Sequence, residues 1–221
     1  MPSVKAQSDQ SINPPSILSI AFDLPNICSL VGLFSALLAL FFALTGNYPA
    51  AMIGLIWAVF FDWNDGKIAR KMKGRTAIQG KIGGQVDSLI DIVSFGICPA
   101  VILLSYGNYN PLLFPGAFLI VAAGVLRLSY FNVYGLGGKS TYQGLAYDNN
   151  AIILVFVFLL ESFISTTAFT IVLYITLIVL AALNVAPIRT PKLNGGVWYY
   201  ALALYTVAIT VAYGWLLFSN I

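Results

Sequence analysis

Between Asp62 and Asp91 the chain reads DWNDGKIARKMKGRTAIQGKIGGQVDSLID, placing four aspartates and six basic residues inside a sequence that is 59% hydrophobic and only 9% charged. On a helix that continues through Arg70, Asp62 and Asp65 stand about 60° apart around the axis, and Asp87 and Asp91 about 40° apart. If the two segments are antiparallel neighbours, the four carboxylates converge. One ionised aspartate at the centre of a bilayer costs about 2.5 to 3.5 kcal/mol, so a group of four needs compensation. Basic neighbours supply some of it. The chain contains no histidine, and a carboxylate set without His or Cys suits hard cations: Mg²⁺ or Mn²⁺, with Ca²⁺ as a third option, as one or two ions. Gly66 and Ala69 follow on the same segment and leave room for a bulky ligand to approach the backbone, although such residues also serve helix packing. Arg70 adds a planar donor suited to a diphosphate.

The elements that must position these groups are membrane spans. A mean hydropathy of +0.88 and apolar runs along all 221 residues are those of a polytopic all-α membrane protein. Candidate spans lie near 27–45, 50–71, 84–106, 112–133, 149–165, 168–187 and 197–218, giving a bundle of about seven helices. Residues 1–26 read as a cytosolic tail with an interfacial segment, and 27–221 as a single transmembrane domain. No soluble domain, internal repeat or inter-domain linker is visible. Cys28 and Cys98 lie in or beside apolar stretches, as small packing residues do. Lys5 lies in the tail, Lys67 through Lys81 around the second connection, Arg127 and Lys139 around the fourth, and Arg189 and Lys192 in the sixth. All basic residues thus fall on one side, which the positive-inside rule makes the cytoplasm. Seven spans place the C-terminus outside and Glu161 near the outer surface as a solvated loop-end charge.

Asp62-x2-Asp65-Gly66-x2-Ala69-Arg70, followed by Gly83-x3-Asp87-x3-Asp91, resembles the signature of the CDP-alcohol phosphatidyltransferases. The connection KMKGRTAIQGKI between its halves is longer than is usual there. DSLIDIVSFGICPA, Arg127-Leu128-Ser129-Tyr130-Phe131-Asn132, Tyr142-Gln143-Gly144-Leu145 and Thr190-Pro191-Lys192 look like the phosphatidylserine synthase branch. That branch usually continues from Gly-Leu into a proline-containing run, where this chain has Ala146-Tyr147-Asp148-Asn149-Asn150. The last span lies beyond the family's six-helix core.

The resemblance implies transfer of a phosphatidyl group from CDP-diacylglycerol to an alcohol, with release of CMP, in a prokaryotic cytoplasmic membrane by a homodimer whose site faces the cytoplasm. It implies two metal ions on Asp62, Asp65 and Asp87 with Asp91 beside them, and Asp91 as general base. Gly66, Ala69, Arg70 and Gly83 would line the CDP-lipid site. Serine is the favoured acceptor, with Arg127 for its carboxylate and Lys139, Tyr142 and Asp148 as further pocket candidates. A phosphorylated acceptor such as glycerol phosphate or an inositol phosphate calls for several cations, and the fourth connection offers only Arg127 and Lys139. Asp148 would instead favour a cationic amine, as in choline or another amino alcohol. A divalent-cation transporter explains the carboxylates but not Gly66, Ala69 and Arg70. A scaffolding protein explains none of the spacings, and nothing points to nucleic acid.

Overall fold

A computed structural model of the protein describes residues 16–135, 141–191 and 196–219. A short helix α1 (Ile17–Ala21) leads into α2 (Leu24–Leu44), α3 (Tyr48–Lys71) and α4 (Ala77–Ile92). A π-helical turn, Val93–Ile97, joins α4 to α5 (Cys98–Tyr106), so that one continuous rod runs from Ala77 to Tyr106. There follow α6 (Phe114–Tyr134), strand β1 (Thr141–Gln143), α7 (Asn149–Val157) with a 3₁₀ extension to Phe163, α8 (Thr166–Val185), strand β2 (Arg189–Pro191) and α9 (Gly196–Ser219).

Local chemistry sets these boundaries. Pro25, Pro49 and Pro115 stand in first turns, where a missing N–H costs nothing. The Asn47 side chain accepts from Ala50 N, that of Ser165 from Ala168 N, and Thr76 and Gln79 form a reciprocal capping box at the start of α4. All seven expected spans are helical. Five runs, Leu24–Leu44, Ala77–Tyr106, Pro111–Tyr134, Thr166–Val185 and Gly196–Ser219, are long and apolar enough to cross a membrane. Of the other two, α3 turns polar at its aspartates and Asn149–Phe163 is shorter. The chain is an all-α polytopic membrane protein in architecture, with one small ribbon in addition: β1 pairs antiparallel with β2, Tyr142 opposite Thr190. Two motifs distant in sequence are therefore one structural unit.

In lipid, helix association relies on close packing. Gly32, Ala36, Ala39 and Ala43 of α2 and Ala51, Gly54 and Ala58 of α3 are buried, and a Cβ at Gly54 would lie 2.9 Å from Ser35 O. Helix α9 is fastened by side chains: Trp57 Nε1 donates to Thr210 Oγ1 (3.1 Å), Tyr205 Oη to Ile152 O (3.0 Å) and Tyr213 Oη to Val155 O (2.7 Å). Both cysteines are free, their thiols set 3.4 Å from the carbonyls of Phe61 and Ala36. Glu161 is half-buried and accepts from Tyr106 Oη at 3.1 Å, so it is a fixed partner rather than the solvated charge expected.

Candidate functional site

A cavity of about 650 Å³ opens at the end of the bundle where α3 and α6 finish and α7 and α9 begin. That is also the end of the basic connections. Its walls carry Asp62, Asp65, Asp87 and Asp91 together with Asp148, and the cations Lys67, Arg70, Lys71 and Arg127. The two halves of the signature meet because α3 and α4 bring their polar ends to this mouth.

Asp62, Asp87 and Asp91 each offer a carboxylate oxygen within 4.8 Å of the others. Three half-buried oxygen donors at that spacing, with no softer ligand among them, fit a hard divalent cation. Asp65 lines the same cavity, but it is buried and accepts a hydrogen bond from Ser29 Oγ on α2. The tight group thus holds three of the four aspartates that the sequence reading gave to the metal site, with Asp65 outside it. Three residues along α3 rotate the Asp65 side chain toward α2, where Ser29 meets it. A Cβ at Gly66 would lie 3.2 Å from Arg70 Nη1, so the missing side chain gives the guanidinium room to lie back along the helix.

Across the cavity, Asp148 occupies the N-cap of α7 without capping it. Its carboxylate instead accepts from Trp63 Nε1 at 2.6 Å. Burial pushes the Asp148 carboxyl above the usual carboxylate range, against the pull of the Trp63 indole and the Arg127 guanidinium. Burial likewise raises the neighbouring Tyr147 hydroxyl, aided by Asp91 and opposed by Arg127. Lys67 holds its ammonium 3.2 Å from the centroid of the Tyr199 ring, and Tyr199 Oη donates to Asn64 Oδ1 at 2.8 Å. Thr190 and Pro191 of the ribbon complete this wall. The ribbon turns at Gly144, whose φ of +75° and approach to the carbonyl of Asn184 admit no side chain.

A sequence model of CDP-alcohol phosphatidyltransferases matches residues 22–221. The chain belongs to the CDP-alcohol phosphatidyltransferase family. It is 35% identical over 176 residues to a Methanothermobacter thermautotrophicus protein named archaetidylserine synthase, covering 78% of this chain and 71% of that one. It is 30% identical over 149 residues to a Methanocaldococcus jannaschii protein named CDP-diacylglycerol–serine O-phosphatidyltransferase, covering 66% of each. A Helicobacter pylori protein of the same name is 27% identical over 179 residues, covering 79% of this chain and 74% of that one. The family and the phosphatidylserine synthase branch read from the signature are both borne out.

Within this phosphatidyltransferase, not every residue singled out from the sequence reaches the cavity. Ala69 and Gly83 are not among the described residues that line it. Gly83 is buried where an added Cβ would run into the Arg75 guanidinium and lie 3.3 Å from Asn26 Oδ1; Arg75 in turn is paired with Asp23 at 2.7 Å. The small residue makes room for that ion pair, a packing duty in place of the expected contact with the CDP lipid. Lys139 lies outside the described residues, and the backbone of Tyr142 is in β1. Sequence reasoning missed Ser29, Trp63, Lys67, Lys71 and Tyr199. Trp63 and Lys67, four apart on α3, carried a local signal, being polar groups on the helix of the aspartates. Ser29 and Tyr199 are placed by long-range packing and carried none. With three cations contributed by α3, the cation count no longer weighs against a phosphorylated acceptor.

Proposed function

We propose that this phosphatidyltransferase moves a phosphatidyl group from CDP-diacylglycerol to the hydroxyl of L-serine, giving phosphatidylserine and CMP, in a cytoplasmic membrane that its seven helices span and with the cavity open to the cytosol. The observation that carries the acceptor is the presence of Arg127 and Asp148 on the walls of the cavity that holds the aspartates. Serine is a zwitterion. A guanidinium suits its carboxylate and a carboxylate its ammonium, whereas choline or ethanolamine has nothing for Arg127 to bind. The relatives' names support the same reading, since they share serine and differ in the lipid transferred.

In the reaction, the serine oxygen attacks the phosphorus that carries the lipid, and the bond between that phosphorus and the bridging oxygen breaks, so that CMP departs with the electron pair. Asp91, on the wall of the same cavity as Arg127 and Asp148, takes the proton of the attacking hydroxyl. Asp62, Asp87 and Asp91, with Asp65 beside them, would hold one or two Mg²⁺ or Mn²⁺ ions, which supply neutralisation of the diphosphate charge. Gly66 and Arg70 receive the CDP moiety, Arg70 through its paired donors. The basic connections at the cavity end support the cytosolic orientation. A panel of serine, ethanolamine, choline, glycerol 3-phosphate and inositol phosphate, each scored by CMP release, tests the acceptor. Serine alone should be turned over rapidly. Rapid turnover of glycerol 3-phosphate, which Lys67, Lys71 and Arg127 could serve, would overturn the serine assignment and leave the transfer reaction standing.

A further inference from the structure

The run Ala146-Tyr147-Asp148-Asn149-Asn150 stands where the resemblance expects proline, and the structure gives it a use. Helix α4 carries Asp87 and Asp91, and two residues after Asp91 it widens into the π turn Val93–Ile97, closed by Cys98 N–H to Val93 O. The cause lies just beyond. Pro99 has no N–H to give the carbonyl four residues earlier, that of Phe95, and its ring crowds the same carbonyl. In a membrane a freed carbonyl must find a partner inside the protein. Asn150 provides it: Nδ2 donates to Phe95 O at 3.2 Å, and Asn150 Oδ1 accepts from Asn184 Nδ2 of α8 at 2.9 Å. Both asparagines are essentially inaccessible, at 0% and 1% exposure. Tyr147 adds a steric contact. Its hydroxyl end fills the space a side chain would need at Gly96 in the π turn and at Gly124 in α6, and it donates to Ile120 O at 3.3 Å.

Tyr147 and Asn150 therefore grip the π turn, and Asp148 between them faces the cavity. We propose that Tyr147 and Asn150 are positioning residues, with Asn184 behind them: they fix the π turn, and through it Asp87 and Asp91, at a set separation from Asp148 on the acceptor wall. The proposal rests on the phosphatidyltransferase reading for what the two walls bind. A loosened π turn lets the last turn of α4 rotate, which disperses the three-carboxylate group and shifts it from the acceptor side together.

The test uses the full-length protein in detergent or nanodiscs. Asn150→Leu keeps the size and removes the donor; Asn184→Leu leaves the Phe95 contact but frees the Asn150 amide; Leu173→Ala, a fully buried change on α8 away from the cavity, serves as a comparator for lost stability. Mn²⁺ affinity is measured by calorimetry without substrates, alongside melting temperature and the serine KM. Asn150→Leu should weaken Mn²⁺ binding and raise the serine KM each by about tenfold, as loss of a buried hydrogen bond can. Asn184→Leu should move both in the same direction by less, and Leu173→Ala should lower the melting temperature without moving either. If Asn150→Leu does not fold, Asn184→Leu carries the test. Wild-type Mn²⁺ affinity in the asparagine variants overturns the brace. Failure of the wild-type protein to turn over serine would overturn the acceptor reading instead, and the Mn²⁺ arm would still decide the brace.

Discussion

Replacing Trp63 by Phe keeps an aromatic ring against the cavity wall and deletes a single atom of consequence, the indole N–H that donates to Asp148 at 2.6 Å. A hydrogen bond to a charged group contributes about 1.5 to 3 kcal/mol. The Asp148 carboxylate faces an open cavity, so water replaces part of the lost bond and the lower figure applies. About 1.5 kcal/mol corresponds to a little over tenfold in affinity. If Trp63 holds Asp148 in place for the acceptor ammonium, Trp63→Phe should raise the serine KM by about tenfold, with the KM for CDP-diacylglycerol nearly unchanged. Initial rates of CMP release, with serine varied at saturating donor and then donor varied at saturating serine, separate the two constants. Asp148→Asn should raise the serine KM further. An unchanged serine KM in Trp63→Phe, or an equal rise in both constants, would refute the assignment of Asp148 to the acceptor wall.

Asp62→Asn and Asp87→Asn should each lower divalent-dependent CMP release by at least about a hundredfold, since a hard-ion site loses a charged oxygen; near-normal turnover of either variant in strong chelator would remove the metal from the account. Asp91→Asn should lose transfer while retaining much of its CDP-lipid binding in a direct binding assay, because a base acts at the chemical step. Arg127→Lys should raise the serine KM and spare donor affinity, since lysine keeps the charge but loses the two-donor fork; an unaltered serine KM would exclude Arg127 as the carboxylate partner. Single cysteines placed at Lys73 and Arg189 should resist an impermeant thiol reagent applied to intact cells, and labelling of either would reverse the orientation.

The parts of the site that could be read from the sequence were those governed by local periodicity. Asp62 with Asp65 and Asp87 with Asp91 are spaced at near-helical-turn intervals on two apolar segments joined by a short loop, and that is enough to predict convergence. It does not say which carboxylates close on one another. Asp65 is drawn aside by Ser29, a contact between α2 and α3 that periodicity does not encode. The spans were legible because about twenty apolar residues fit one bilayer crossing, and the observed helix ends lie close to those expected except at α4, which begins at Ala77 and not near 84 because Thr76 and Gln79 cap it there. The ribbon was not, since nothing in Tyr142-Gln143 or Arg189-Thr190-Pro191 points to its partner until α7 and α8 have packed. The π turn had a visible cause in Pro99, eight residues after Asp91. Its consequence, an asparagine recruited from α7, needed the tertiary structure.

The central claim is transfer of a phosphatidyl group to serine, and it is tested most directly with isotopically labelled serine. Purified protein supplied with CDP-diacylglycerol, labelled serine and Mg²⁺ or Mn²⁺ should place the label in a phospholipid, with one CMP released per serine incorporated, and chelation should stop both. The account is contradicted if CMP appears while the label stays in water-soluble serine, or if the reconstituted protein carries divalent ions across a vesicle membrane and neither product forms.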